Sequence, residues 1–87
     1  SAFDHHLVGL ARYRQGDWPG ARQAVEQAMA LRDRQFAEDY RLLALIEFQA
    51  GNVELAREHA VAAKTKPDVW STHAQALADE WELVTGH

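Results

Sequence analysis

Gln15-Gly16-Asp17-Trp18-Pro19-Gly20-Ala21 returns thirty-five residues later as Ala50-Gly51-Asn52-Val53-Glu54-Leu55-Ala56, and this echo decides how the chain folds. In each copy a glycine that tolerates the left-handed conformation closes one helix, and the Asp or Asn after it is placed to cap the next. Pro19 then falls in the first turn of the second helix, where its missing N–H costs nothing. Gly86 stands at the same interval once more.

Outward from the first turn, Phe3, Leu7, Leu10 and Ala11 recur at three- and four-residue spacing, which predicts a helix to Arg14 with these residues on its buried side. From Trp18 to about Arg32 the stripe Ala21, Ala24, Val25, Ala28 and Leu31 is mostly small, so a neighbouring helix can approach closely. Asp33 is the expected cap of a third helix. Its apolar residues, from Phe36 through Tyr40, Leu42, Leu43, Leu45, Ile46 and Phe48 to Ala50, cover more than half its circumference, as in a helix covered on two sides. A fourth helix carries Val53, Leu55, Ala56, Ala60 and Ala63 and ends before Pro67. Asp68 is expected to begin a fifth, with Trp70, Ala74, Leu77, Trp81 and Val84 along one stripe.

A shift of thirty-five residues pairs Leu7 with Leu42 and Leu77, Leu10 with Leu45, Tyr13 with Phe48 and Leu83, Ala21 with Ala56, and Ala28 with Ala63. One helix pair of this size cannot bury its apolar face alone, so such units stack and share a core. The pattern resembles the tetratricopeptide repeat family, in which two antiparallel helices fill a unit of about 34 residues. Gly9 and Ala44 match the family's small residue midway along the first helix, Gly16-Asp17 and Gly51-Asn52 its turn, and Ala21, Ala28, Ala56 and Ala63 the alanines of its second helix. The usual junction proline is replaced by Asp33 after the first unit and displaced to Pro67 after the second. Arg12, Glu47 and Glu82 are charged where the family commonly packs a large residue, which leaves the rotation of the first helices open.

The resemblance implies an all-α fold of five helices, antiparallel hairpins stacked as a right-handed α-solenoid. Residues 3–35 form one repeat, 36–67 a second, and 68–85 a capping helix or truncated third. It also implies a concave groove lined by the first helix of each pair, binding a peptide or helix of a partner protein. Carried over by position, the groove shows Phe3, His6, Leu10, Tyr13 and Arg14, then Glu38, Arg41, Leu45, Phe48 and Gln49, then His73, Ala76, Glu80 and Leu83. Leu10, Leu45, Tyr13 and Phe48 are expected to supply apolar burial and Arg14 and Arg41 to set orientation. For the row Tyr13, Phe48, Leu83, ordinary core packing is an equal alternative. Some family members grip a chaperone's C-terminal carboxylate with Lys, Asn and Arg, but the matching places here hold His6, Leu10, Leu42, His73 and Leu77, so that role is not expected.

Composition narrows the rest. The 87 residues make one domain or a piece of a longer array. A net charge of −4 with both signs interspersed argues against a phosphate-gripping surface, so no nucleic-acid partner is expected. No apolar run is long enough to insert in a bilayer. Without cysteine there is no thiol nucleophile or thiolate zinc site. The compartment stays open, with the cytoplasm slightly favoured over the periplasm. Arg far outnumbers Lys and Ala is abundant, a bias that accompanies GC-rich bacterial genomes.

His5 and His6 are adjacent, so on a helix they point about 100° apart and cannot share a metal. His59 and His73 have no ligand-spaced neighbour and read as surface histidines. With no nucleophile signature and no phosphate-cradling loop, no catalytic, cofactor or metal residue is expected. The primary expectation is a non-catalytic scaffold or adaptor module. Two alternatives stay open: homo-oligomerisation through the stripe Trp70, Leu77, Trp81 and Val84, or an accessory domain of a larger enzyme or secretion or assembly protein.

Overall fold

The turns that open the sequence argument end two helices by the same hydrogen bonds. At the first, Gly16 N–H donates to the Tyr13 carbonyl and Asp17 N–H to that of Arg12, each at 3.0 Å; at the second, Gly51 N–H reaches Phe48 at 3.1 Å and Asn52 N–H reaches Glu47 at 2.8 Å. This pairing satisfies carbonyls that a helix end leaves open, and it needs a left-handed residue at the glycine. Gly16 and Gly51 have φ of 79° and 93°, and Gly86 has 77°.

The computed structural model of the chain describes residues 1–86. It contains five helices: α1 (Ala2–Arg14), α2 (Trp18–Ala30), α3 (Ala37–Gln49), α4 (Val53–Ala63) and α5 (Ser71–Thr85). The described residues form no strand, and no helix is long and apolar enough to cross a membrane. α1 packs on α2 and α3 on α4 as antiparallel hairpins, α2 also packs on α3, and α5 lies along α3 while standing off α4. The extents are 32 × 25 × 21 Å, and the packing is organised by α3, which lies against each of the other four helices.

The core centres on α3, whose Leu42, Leu43, Ala44, Leu45 and Ile46 are all buried. The breadth of its apolar face, visible in the sequence, has this cause. Ala21 and Val25 join it from α2 and Leu77 from α5, and Ala24 and Ala28 of α2 are buried as well. Gly9 lets α1 approach α2: a Cβ there would lie 2.7 Å from Val25 Cγ2.

Several local expectations change. α1 turns His6, Gly9 and Tyr13 inward and leaves Leu7 41% exposed and Ala11 at the surface, because the small face at Gly9 sets the rotation. Leu31 follows the end of α2 and is 60% exposed; Leu55 on α4 is also exposed. Asp17 caps α2 as expected, accepting from Gly20 N–H at 3.0 Å. Asn52 instead donates its amide to Glu47 Oε1 at 2.8 Å and makes no side-chain cap. Neither Asp33 nor Asp68 caps a helix. α3 begins after Phe36, where Ala37 N–H donates to the Pro67 carbonyl at 2.9 Å. α5 begins only after Trp70, because Glu38 of α3 accepts from Val69 N–H and, at 2.6 Å, from Trp70 N–H, holding that stretch extended.

Candidate functional site

α1, α3 and α5 run parallel, and their facing side chains meet. Phe3 packs 5.9 Å from Trp70 at one end, and Arg14 donates to Glu80 Oε2 at 2.6 Å toward the other. Between them lies a polar chain across all three helices. Arg32, following α2, donates its Nε–H to Asp39 Oδ2 at 2.6 Å. Asp39 Oδ1 lies 2.8 Å from His6 Nδ1, and His6 Nε2 lies 2.9 Å from His73 Nε2.

His6 and Asp39 are both fully buried, and Arg32 nearly so. One ring nitrogen of His6 faces the carboxylate and the other faces His73, so Nδ1–H donates to Asp39 and a single proton bridges the two Nε2 atoms across the last gap. Burial pushes the Asp39 carboxyl up, but the hydrogen bonds and charges of His6 and Arg32 outweigh it and hold it below its ordinary 3.8. Burial, with the nearby charge of His6, holds His73 below 6.5.

A carboxylate orienting a histidine is also the skeleton of a general base. Here the second nitrogen of His6 is occupied by His73, whose ring packs against Trp70 at 5.5 Å. The chain therefore fixes α5 to α1 and α3. Among the described residues no three His, Asp or Glu side chains converge as a metal site.

The positions expected to line a groove thus have several fates. His6 and Leu45 are completely buried and Tyr13 is 6% exposed, so these three are core residues and offer a partner no surface. Leu10 is half-buried against the core. Arg14 and half-buried Glu80 pair with each other; Arg14 is half exposed and holds the Glu80 carboxyl low. The Tyr13 hydroxyl is pushed up to about 12 by burial and by Glu80. Phe48 packs edge-on against Trp81 at 5.7 Å, Gln49 is exposed, and half-buried His73 ends the polar chain. Leu83 alone of its row is open, at 81%. The proposed self-association stripe is mostly internal: Leu77 is buried, and Trp81 and Val84 pack on the core, leaving Trp70 half exposed. His59 is half-buried beside Tyr40.

A second polar cluster joins the hairpins. Arg22 of α2 donates Nε–H to Glu47 Oε2 at 2.5 Å and Nη2–H to Oε1 at 2.8 Å, with Asn52 supplying a third bond. Sequence reasoning missed Arg32, Asp39, Arg22 and Glu38 as partners. A usable signal was present in Glu47, a charge between Ile46 and Phe48 in an apolar helix, which must be paired if that helix is buried.

The gap between α4 and α5 forms the open counterpart to this closed face. It is a cleft of about 290 Å³ whose lining includes Arg41 of α3, Arg57 and Val61 of α4 with Lys64 just after its end, and Trp81 and Glu82 of α5. Comparison with protein-family models, with curated proteins and with solved structures finds no match to the chain.

Proposed function

We propose that this chain is a non-catalytic protein-interaction module of the tetratricopeptide type, two stacked hairpins with α5 as the first helix of an unfinished third. In this reading α5 closes the face that the first helices would otherwise offer as a groove, and the partner docks in the cleft between α4 and α5. The stacking itself, as a short right-handed solenoid, belongs to the same proposal. It is supported by the like hydrogen bonding at Gly16 and Gly51 and by Gly86 standing at the same interval with a left-handed backbone.

One observation carries the functional part: α5 packs along α3 and stands off α4, leaving a lined cleft beside a helix that, among the described residues, has no antiparallel mate. A helix laid there would stand to α5 as α4 stands to α3. Photo-cross-linking from Val61, which is 62% exposed at the cleft, tests this in the intact protein, with exposed Gln23 of α2 as the control position. The module reading expects a discrete partner adduct from Val61 only. Equal labelling from both positions, or none from either, would discard it.

Self-association has less support, because Leu77, Trp81 and Val84 serve the chain's own core. Light scattering over a concentration series should find a monomer.

A further inference from the structure

We infer that the cleft between α4 and α5 receives an acidic amphipathic helix of a partner protein; this rests on the interaction reading above and names the chemistry of the partner. The chain carries a net −4, yet the cleft gathers three cations, Arg41, Arg57 and Lys64, against one carboxylate, Glu82. Elsewhere Arg14, Arg22 and Arg32 pair with Glu80, Glu47 and Asp39, while Arg12 donates to the Gly20 carbonyl and Arg34 lies over the Phe36 ring. None of the three cleft cations pairs with a carboxylate among the described residues. Arg41 is half-buried at the inner end of this set, its guanidinium among the groups that line the cleft.

The cations frame an apolar strip. Arg57, Val61 and Lys64 follow one another at four- and three-residue spacing along α4 to the residue just after its end, a stripe of about 10 Å, and Trp81 forms the opposite wall. A helix with apolar residues on one stripe and Asp or Glu flanking it at three- and four-residue spacing matches both features. Its apolar stripe covers Val61 and Trp81, and its carboxylates reach the three cations. A basic helix would meet like charge at each of them.

The test titrates the isotope-labelled 87-residue chain with three synthetic helices of about 20 residues. They share one apolar stripe and are flanked by Glu, by Gln or by Lys. The Glu helix should shift the Trp81 indole N–H and the Val61 and Lys64 amides. Three ion pairs, each worth a factor of about 1.5 to 5 at exposed sites, should together make it bind about 3- to 100-fold tighter than the Gln helix. Raising salt from about 0.05 to about 0.5 M should erase most of that advantage. Arg57→Glu and Lys64→Glu, both at exposed positions, should each weaken the Glu helix by about twofold or more while leaving the circular dichroism of the chain unchanged. Equal binding of the Gln or Lys helix at the same amides overturns the acidic assignment and leaves the docking cleft standing. Shifts confined to another face, or no shifts with any helix, overturn the cleft as the site, and cross-linking from Val61 then judges the module reading separately.

Discussion

Asp39→Asn keeps the size of the side chain and removes the one charge that the buried polar chain is built around. Asp39 is fully buried and accepts from His6 Nδ1 at 2.8 Å and from Arg32 Nε at 2.6 Å. An asparagine has a single acceptor oxygen, so one of these donors must face its amide NH₂ instead. Breaking one partner of a buried ion pair costs about 3–5 kcal/mol, and Arg32, at 9% exposed, retains slight access to water, which favours about 3 kcal/mol. A chain of this length is stable by about 4–13 kcal/mol, so the substitution removes a large share. The melting temperature should fall by roughly 12–24 °C. Urea unfolding followed by circular dichroism measures this as a lower midpoint at unchanged slope. Arg14→Gln is the internal comparison: its pair with Glu80 is half open to solvent and should be worth less than about 1 kcal/mol. If Asp39→Asn costs no more than Arg14→Gln, the polar chain does not hold α5 in place.

Three further outcomes follow from burial, packing and charge. Leu45→Ala should cost about 2–5 kcal/mol in the same urea assay, since Leu45 is completely buried; a loss of binding with full stability would restore it to a partner surface. Gly9→Val should cost about 2–3 kcal/mol, because a Cβ already lies 2.7 Å from Val25 Cγ2 and overpacking is felt at that scale; a neutral effect would mean that α1 and α2 lie further apart. Stability should also fall in two acid stages. Burial holds His59 and His73 below 6.5, so the unfolded chain binds more protons just below that pH, and stability drops from about pH 6.5 downward. Glu47 and Glu80 are held below 4.5 by Arg22 and Arg14, and Asp39 below 3.8 by the bonds and charges that outweigh its burial. Their contribution is present above those values and lost as pH falls through the lower folded ones. Urea midpoints across pH 3–8 read both stages, and His73→Gln should reduce the first; a flat profile from pH 7 to 5 would contradict it.

The helices were legible in the sequence because their signals are local. Glycine turns, three- and four-residue apolar spacing and the breadth of the α3 face each lie within one element, and they yield five helices with boundaries close to those observed. Helix starts failed where a distant group takes the backbone amides: Glu38 holds Val69 and Trp70 N–H, so Asp68 caps nothing. The burial of His6, Tyr13 and Leu45 is hidden from the sequence for a similar reason. His6 and His73 are separated by sixty-six intervening residues, and neither shows by spacing that their rings are 5.0 Å apart. Leu7 and His6 are neighbours, and only the close approach at Gly9 determines which of them faces inward. Arg41, placed in the groove by position, instead lines the cleft on the α4 side of α5.

Everything functional here depends on α5 being seated against α1 and α3. Amide hydrogen exchange on the intact chain measures that directly. The account predicts that α5 amides from Ala74 to Trp81 exchange as slowly as those in the middle of α1, with Asp39→Asn releasing α5 first. Exchange of α5 at unprotected rates while the other four helices stay protected would contradict it, and would leave the His6 and Asp39 face open as a groove.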